Sequence, residues 1–251
     1  MIQKIKKFIK GLSKKQRVII TVSAIVLTLA LIVFLFMYNN GYSGLHNHTK
    51  AGDGKIKVAC VGDSITYGHG IKNWSKNNYP AQLQDILGEQ YHVQNFGHSG
   101  TTVSEFADKP YTESKQYELS LEYDADILVF MLGTNDSKPQ NWTNSQDFIN
   151  EYGALIDSYK KNNPDIRIIL CTPAVAFSDV GSNSATTSFD IQPKIVETMR
   201  NEIRAFALTR GYELVDVYDL TQYHRDWFDD NVHPSGEGAR AIAELIAKKM
   251  K

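Results

Sequence analysis

Ile127-Leu128-Val129-Phe130-Met131-Leu132 is an unbroken apolar run bounded by Asp126 and Gly133. It is too short for a buried helix and lacks the alternation of a strand with one wet face, so it predicts a strand covered on both sides, as in a parallel sheet. Similar runs near 56–61, 91–95, 166–171 and 212–217 predict four more strands, with 126–132 central because it is the most continuously apolar. Between them apolar residues recur at helical spacing: Phe148, Tyr152, Leu155, Ile156 and Tyr159; Ile195, Met199, Ile203, Phe206 and Ala207; Ala239, Ile242, Ala243, Ile246 and Met250. Five β-α units imply an α/β fold, a three-layer α/β/α sandwich around a five-stranded parallel sheet with right-handed crossovers. In such sheets ligands bind at the C-terminal edge of the strands.

The N-terminal portion obeys a different pattern. Residues 1–17 hold seven bases (Lys4, Lys6, Lys7, Lys10, Lys14, Lys15 and Arg17) and no acid, which leaves 20 bases against 28 acids in the remainder. An acidic remainder argues against nucleic acid as a partner, since phosphate binding needs a basic face. Val18 to Tyr38 follows as 21 residues without a charge. At ~1.5 Å per residue this spans about 31 Å, close to the ~30 Å hydrocarbon thickness of a bilayer. A cleaved signal peptide would carry a shorter apolar region and a small-x-small site, and Phe34-Leu35-Phe36-Met37-Tyr38 offers none. The expectation is one uncleaved transmembrane helix, 18–38, with the basic segment 1–17 cytoplasmic and the rest extracellular.

Residues 39–54 are rich in Gly, Asn and His without apolar period and predict a flexible stalk, leaving 55–251 as the main domain. His46 and His48 lie there without a carboxylate or thiol cluster, so no metal site is expected. Cys60 and Cys171 fall inside predicted strands and read as buried free thiols.

Four polar clusters sit just after predicted strand ends or before the last helix. Val58 to Val61 ends in Gly62-Asp63-Ser64, placing a hydroxyl at the rim and its N–H at the start of a helix, where negative charge is favoured. The second strand leads into Asn95-Phe96-Gly97-His98-Ser99-Gly100-Thr101-Thr102, and the third into Gly133-Thr134-Asn135-Asp136. Asp230-Asn231-Val232-His233-Pro234 sets a carboxylate three residues before an imidazole, with Ser235 as a helix cap. Acyl transfer by a serine needs a base, a group that orients the base, and donors for an oxyanion. For Ser64 as the nucleophile, His233 can supply the base and Asp230 the group that orients it. The N–H groups of Ser64 and Gly100 with the Asn135 amide can supply the donors.

This four-part pattern resembles the SGNH (GDSL-type) hydrolases, named for the Ser, Gly, Asn and His of their blocks. Gly62-Asp63-Ser64-Ile65 matches the first block, with Ile where Leu is frequent, and the resemblance covers roughly 56–248. It implies a flavodoxin-like sandwich, a Ser64–His233–Asp230 triad and no metal or cofactor. The family spacing selects Asp230 over Asp229. His69 then reads as a rim residue and His98 as a substrate contact, while Tyr67, Trp74 and Phe177 are aromatics without an assigned role. No Gly-x-Ser-x-Gly elbow occurs in the chain. The second block followed by Lys109-Pro110-Tyr111 is similar to members that deacetylate sugars, which implies an esterase acting on an O-acetylated carbohydrate. An O-acetyltransferase with the same triad, a lipase or thioesterase, and a non-catalytic surface module are the alternatives.

Overall fold

In the computed structural model, which describes residues 11–178, 187 and 189–250, the predicted alternation appears as a sheet flanked by helices. Lys4, Lys6, Lys7 and Lys10 of the basic segment lie outside the described residues. In chain order the elements are α1 (Lys14–Asn39), β1 (Ile56–Gly62), α2 (Ser64–Tyr67), α3 (Trp74–Asn77), α4 (Tyr79–Leu87), β2 (Tyr91–Gly97) and α5 (Lys115–Glu122). There follow β3 (Ile127–Met131), α6 (Ser145–Asn162), β4 (Arg167–Cys171), α7 (Pro193–Arg210), β5 (Glu213–Val215), α8 (Val217–Thr221) and α9 (Gly236–Met250).

All strand pairs are parallel, in the order β2-β1-β3-β4-β5. The most apolar run is therefore the middle strand, as its composition predicts, and every β3 residue is buried. Alternate strand residues feed two cores. Val58, Cys60, Val129 and Ile169 face Leu83 of α4 and Ile242 and Ile246 of α9. Val61, Leu128, Phe130 and Leu170 face Tyr152 and Ile156 of α6 and Met199 and Ile203 of α7. Cys60 and Cys171 are buried free thiols in the first of these cores.

Strand order reverses between β1 and β3, the switch point at which open α/β sheets place their ligands. Register levels the strand ends there: Gly62 pairs with Gly97 on one side and Met131 on the other. Gly97 also lets α2 lie across the rim, since a Cβ on it would sit 2.2 Å from the Tyr67 backbone nitrogen.

Helix α1 carries the uncharged run and extends past it at both ends, with Ser13 and Gln16 forming a reciprocal cap. It buries no residue, and its 26-residue length with an 18-residue stretch of mean hydropathy 3.0 suits a membrane crossing.

The segment predicted as a flexible stalk instead lies along the outer edge of β2. His46 Nδ1 and His48 Nε2 both meet the Asn95 carbonyl, at 3.0 and 2.8 Å, and Thr49 N donates to Gln94 Oε1 at 3.2 Å. At its start, Asn47 donates to the Tyr38 hydroxyl at 2.6 Å, and the Tyr38 ring meets Trp74 edge-on. β2 is an edge strand, and the two imidazoles meet the Asn95 carbonyl, a backbone acceptor that no neighbouring strand reaches. Glycine and histidine content signals irregular backbone but not whether that backbone docks.

Gly97→Ala should force α2 off the rim and destabilise the domain by about 1–3 kcal/mol, lowering the thermal midpoint by roughly 2–12 °C. Circular dichroism melting checks this, and an unchanged midpoint would contradict the close approach.

Candidate active site

Asp63 follows β1 and caps α2, its Oδ1 accepting the Ile65 N–H at 2.9 Å, so Ser64 becomes the first residue of a helix. Across the rim, the loop before α9 delivers the other two groups. His233 Nε2 lies 2.9 Å from Ser64 Oγ, and His233 Nδ1 lies 2.7 Å from Asp230 Oδ2. Asp230 Oδ1 also accepts the backbone N–H groups of Val232 and His233, at 3.0 and 2.7 Å. Asp229 makes none of these bonds. Asn231 between them has a left-handed φ of 69°, and Arg225 donates to its side-chain oxygen at 2.6 Å, which fixes the turn.

Burial alone would raise the Asp230 pKa, but the His233 side chain and the two backbone donors outweigh it and hold the carboxyl down at about 2. Ionised Asp230 accepts a proton-bearing Nδ1, which leaves Nε2 free to accept from the Ser64 hydroxyl. This is the arrangement that lets an imidazole take a serine proton.

The donors expected for an oxyanion share the same pocket, about 230 Å³ in volume, bounded by Ser64, His233, Gly100, Asn135, Phe189 and Ile191. Asn135 Nδ2 donates to the Thr101 carbonyl at 3.1 Å, keeping its second N–H available. Gly100 lines the pocket with φ +85°, a conformation that suits glycine. A larger cavity of about 490 Å³ lies elsewhere, between the docked 46–48 segment and α4, and Ser64 does not line it.

Polar residues within the motifs hold the loops together. Asp136 is buried and accepts from Val103 N and Ser104 N, all at 3.0 Å, tying the third cluster to the second. Asn95 Nδ2 reaches the carbonyls of Thr66 and Tyr67, and its Oδ1 accepts from Gly97 N, tying β2 to the helix that starts at Ser64.

His69 lines the pocket, its ring 4.8 Å from that of His233, and burial followed by the His233 charge lowers its pKa. His98, expected as a substrate contact, does not line this pocket; its neighbours Ser99 and Gly100 do. Tyr67 and Trp74 are buried in the packing, and Phe177 packs on Phe228. Phe189, edge-on to His233 at 5.0 Å, Ile191 and Lys138 line the pocket without having been expected. Their loops carry no periodicity that could mark them. Among the described residues no group of three or more His, Cys, Asp or Glu side chains could hold a metal ion.

The family model of GDSL-like lipases and acylhydrolases matches residues 60–241. An acetylxylan esterase from Xylanibacter ruminicola is 34% identical over 218 residues, covering 78% of this chain. The match spans only 43% of that relative's length. A solved carbohydrate acetylesterase from Sinorhizobium meliloti superposes with TM-score 0.64 at 19% identity, over 78% of this chain and 98% of its own. The aryl esterase of M. smegmatis gives 0.61 at 15% identity, over 77% and 97%. At these identities the two structures share the fold.

Burial raises the Asp136 pKa to about 7 against the pull of the Ser104 and Val103 amides. Unfolded, the carboxyl ionises near its ordinary value of about 3.9. The folded form therefore keeps a proton the unfolded form has released, and this contribution to stability is full below about pH 4 and lost as pH rises through 7. The thermal midpoint should fall across that window and fall less in Asp136→Asn, which cannot titrate; equal slopes would contradict the assignment.

Proposed function

Because this chain belongs to the GDSL-like lipase/acylhydrolase family, we propose that it is a serine esterase that removes acetyl groups from an O-acetylated carbohydrate. The observation that carries the reading is the Ser64–His233–Asp230 relay, with bonds of 2.9 and 2.7 Å, opening onto a small pocket with amide donors beside it.

The chemistry proceeds in two halves. Ser64 Oγ attacks the acetyl carbon while His233 Nε2 takes its proton, and Asp230 balances the imidazolium that forms. Negative charge on the carbonyl oxygen is met by the N–H groups of Ser64 and Gly100 and the free N–H of Asn135. The α2 N-terminus adds little beyond the Ser64 N–H itself, because α2 is a single turn. His233 then returns the proton to the departing sugar oxygen. Water, deprotonated in turn by His233, attacks the acetyl-serine and releases acetate with Ser64 restored.

Two features support an acetyl group on a sugar. Phe189 and Ile191 close the pocket to a small volume, which accommodates a short acyl group. The 34%-identical relative is an acetylxylan esterase. Helix α1 supports membrane anchoring: at ~1.5 Å per residue its 26 residues reach about 39 Å. Lys14, Lys15 and Arg17 at its start favour a cytoplasmic N-terminus, which puts the catalytic domain outside the cell within reach of surface polysaccharide.

Full-length protein in detergent should release acetate from acetylated xylan, and Ser64→Ala should lose that activity by at least about 10³-fold. On p-nitrophenyl esters the acetate should be turned over faster than the octanoate. Preference for octanoate would defeat the deacetylase reading, and undiminished turnover by Ser64→Ala would defeat the esterase reading altogether.

A further inference from the structure

We propose that Lys109 is a positioning residue for the oxyanion hole, acting through the peptide bond that joins Ser99 to Gly100. The inference rests on the reading above, in which Ser64 is the nucleophile and the Gly100 N–H a donor to the oxyanion.

The geometry is that of a grip on the reverse side of a donor. Lys109 Nζ donates to the Ser99 carbonyl at 2.7 Å, a charge-assisted bond. That carbonyl belongs to the same peptide unit as the Gly100 N–H. The chain has no cis peptide bond among its described residues, and in a planar trans unit the C=O and the following N–H point in opposite directions. Fixing the oxygen therefore fixes the direction of the hydrogen. Gly100, at φ +85°, adopts many backbone conformations at little cost, so the peptide plane before it is free to rotate unless something holds it. The ammonium also draws electron density toward the carbonyl oxygen and makes the linked N–H a stronger donor.

The holder is itself held. Thr102 N donates to the Lys109 carbonyl and Tyr111 N to the Thr102 carbonyl, both at 2.9 Å, so the Lys109 backbone runs as a short bridge beside the far end of the loop. Tyr111 Oη donates to the Phe96 carbonyl at 2.7 Å, pinning that bridge to the end of β2. With Asp136 gripping the Val103 and Ser104 amides, the loop from 98 to 104 is tied down after Gly100 by backbone bonds and a carboxylate. At the Ser99–Gly100 peptide Lys109 supplies the tie. Its ammonium stands 3.8 Å from where a Cβ on Gly100 would lie, close enough to act on that one unit.

Complete removal of one oxyanion donor typically costs about 10²–10³ in rate, and a misdirected donor keeps part of its effect, so Lys109→Met should lower kcat by about tenfold. Because Lys109 acts on the transition state and not on the bound ester, KM should stay within twofold. The test uses full-length protein in detergent with p-nitrophenyl acetate as substrate and phenylboronic acid as an analogue of the tetrahedral intermediate. Lys109→Met should weaken the boronic acid in parallel with kcat, and Lys109→Arg, which can still donate to the carbonyl, should restore both to within threefold of the parent. Melting curves should overlay, since the side chain is exposed. A Lys109→Met chain with kcat within twofold of the parent would overturn the proposal. So would a loss confined to KM with boronic acid affinity unchanged, or a kcat loss that Lys109→Arg does not restore. Ser64→Ala assayed alongside separates the two readings: full turnover there sinks the nucleophile assignment, whereas a dead Ser64→Ala beside an unaffected Lys109→Met sinks only the role of Lys109.

Discussion

The register that pairs Gly62 of β1 with Gly97 of β2 and with Met131 of β3 brings three strand ends to one height, and the site is built on that shared edge. From it leave the turn that carries Ser64, the loop that carries Gly100 and the turn that carries Asn135. A slip in a parallel pairing would move one of these loops by a residue or more along the strand, and the buried strands resist it because both faces are packed. The fourth contributor, His233, arrives from the loop before α9 and closes on Ser64 across 169 positions of sequence.

Loops alone would not hold such geometry, and the chain invests buried polar side chains in fixing them. Asp63, Asp136 and Asn135 are all nearly inaccessible to solvent, a costly place for polar groups unless each finds partners. Asp63 and Asp136 face backbone N–H groups, which offset part of the burial and set loop conformation. Asn95 does the same between β2 and α2. The Asp residues of Gly-Asp-Ser and Thr-Asn-Asp are thus fasteners for the neighbouring Ser64 and Asn135, which face the pocket.

Much of this is legible in the chain itself. Strands buried on both faces must be apolar throughout, so the five runs and the central place of 127–131 can be read directly, as can helix faces such as Tyr152, Leu155 and Ile156. The constellation at the candidate site is readable because its residue types are few and its clusters follow strand ends or precede the last helix. What stays hidden depends on three-dimensional neighbours without a local pattern. Residues 46–49 look like a linker until the open edge of β2 is known to lie beside them. Phe189 and Ile191 come from irregular backbone, and only the fold shows that Phe189 meets His233 edge-on and that Ile191, a core residue, also lines the pocket. Asp136 differs from an ordinary turn aspartate only through the amides of Val103 and Ser104, 32–33 positions away.

The central claim is that Ser64 becomes acylated with His233 as its base. Full-length protein mixed with p-nitrophenyl acetate, quenched in acid within the first turnovers and digested for mass spectrometry, measures this most directly. One added acetyl group is expected on the peptide containing Ser64, absent when His233 is replaced by Ala. Ester turnover with that peptide unmodified at every time point, or acetylation that persists at the same rate without His233, would contradict it.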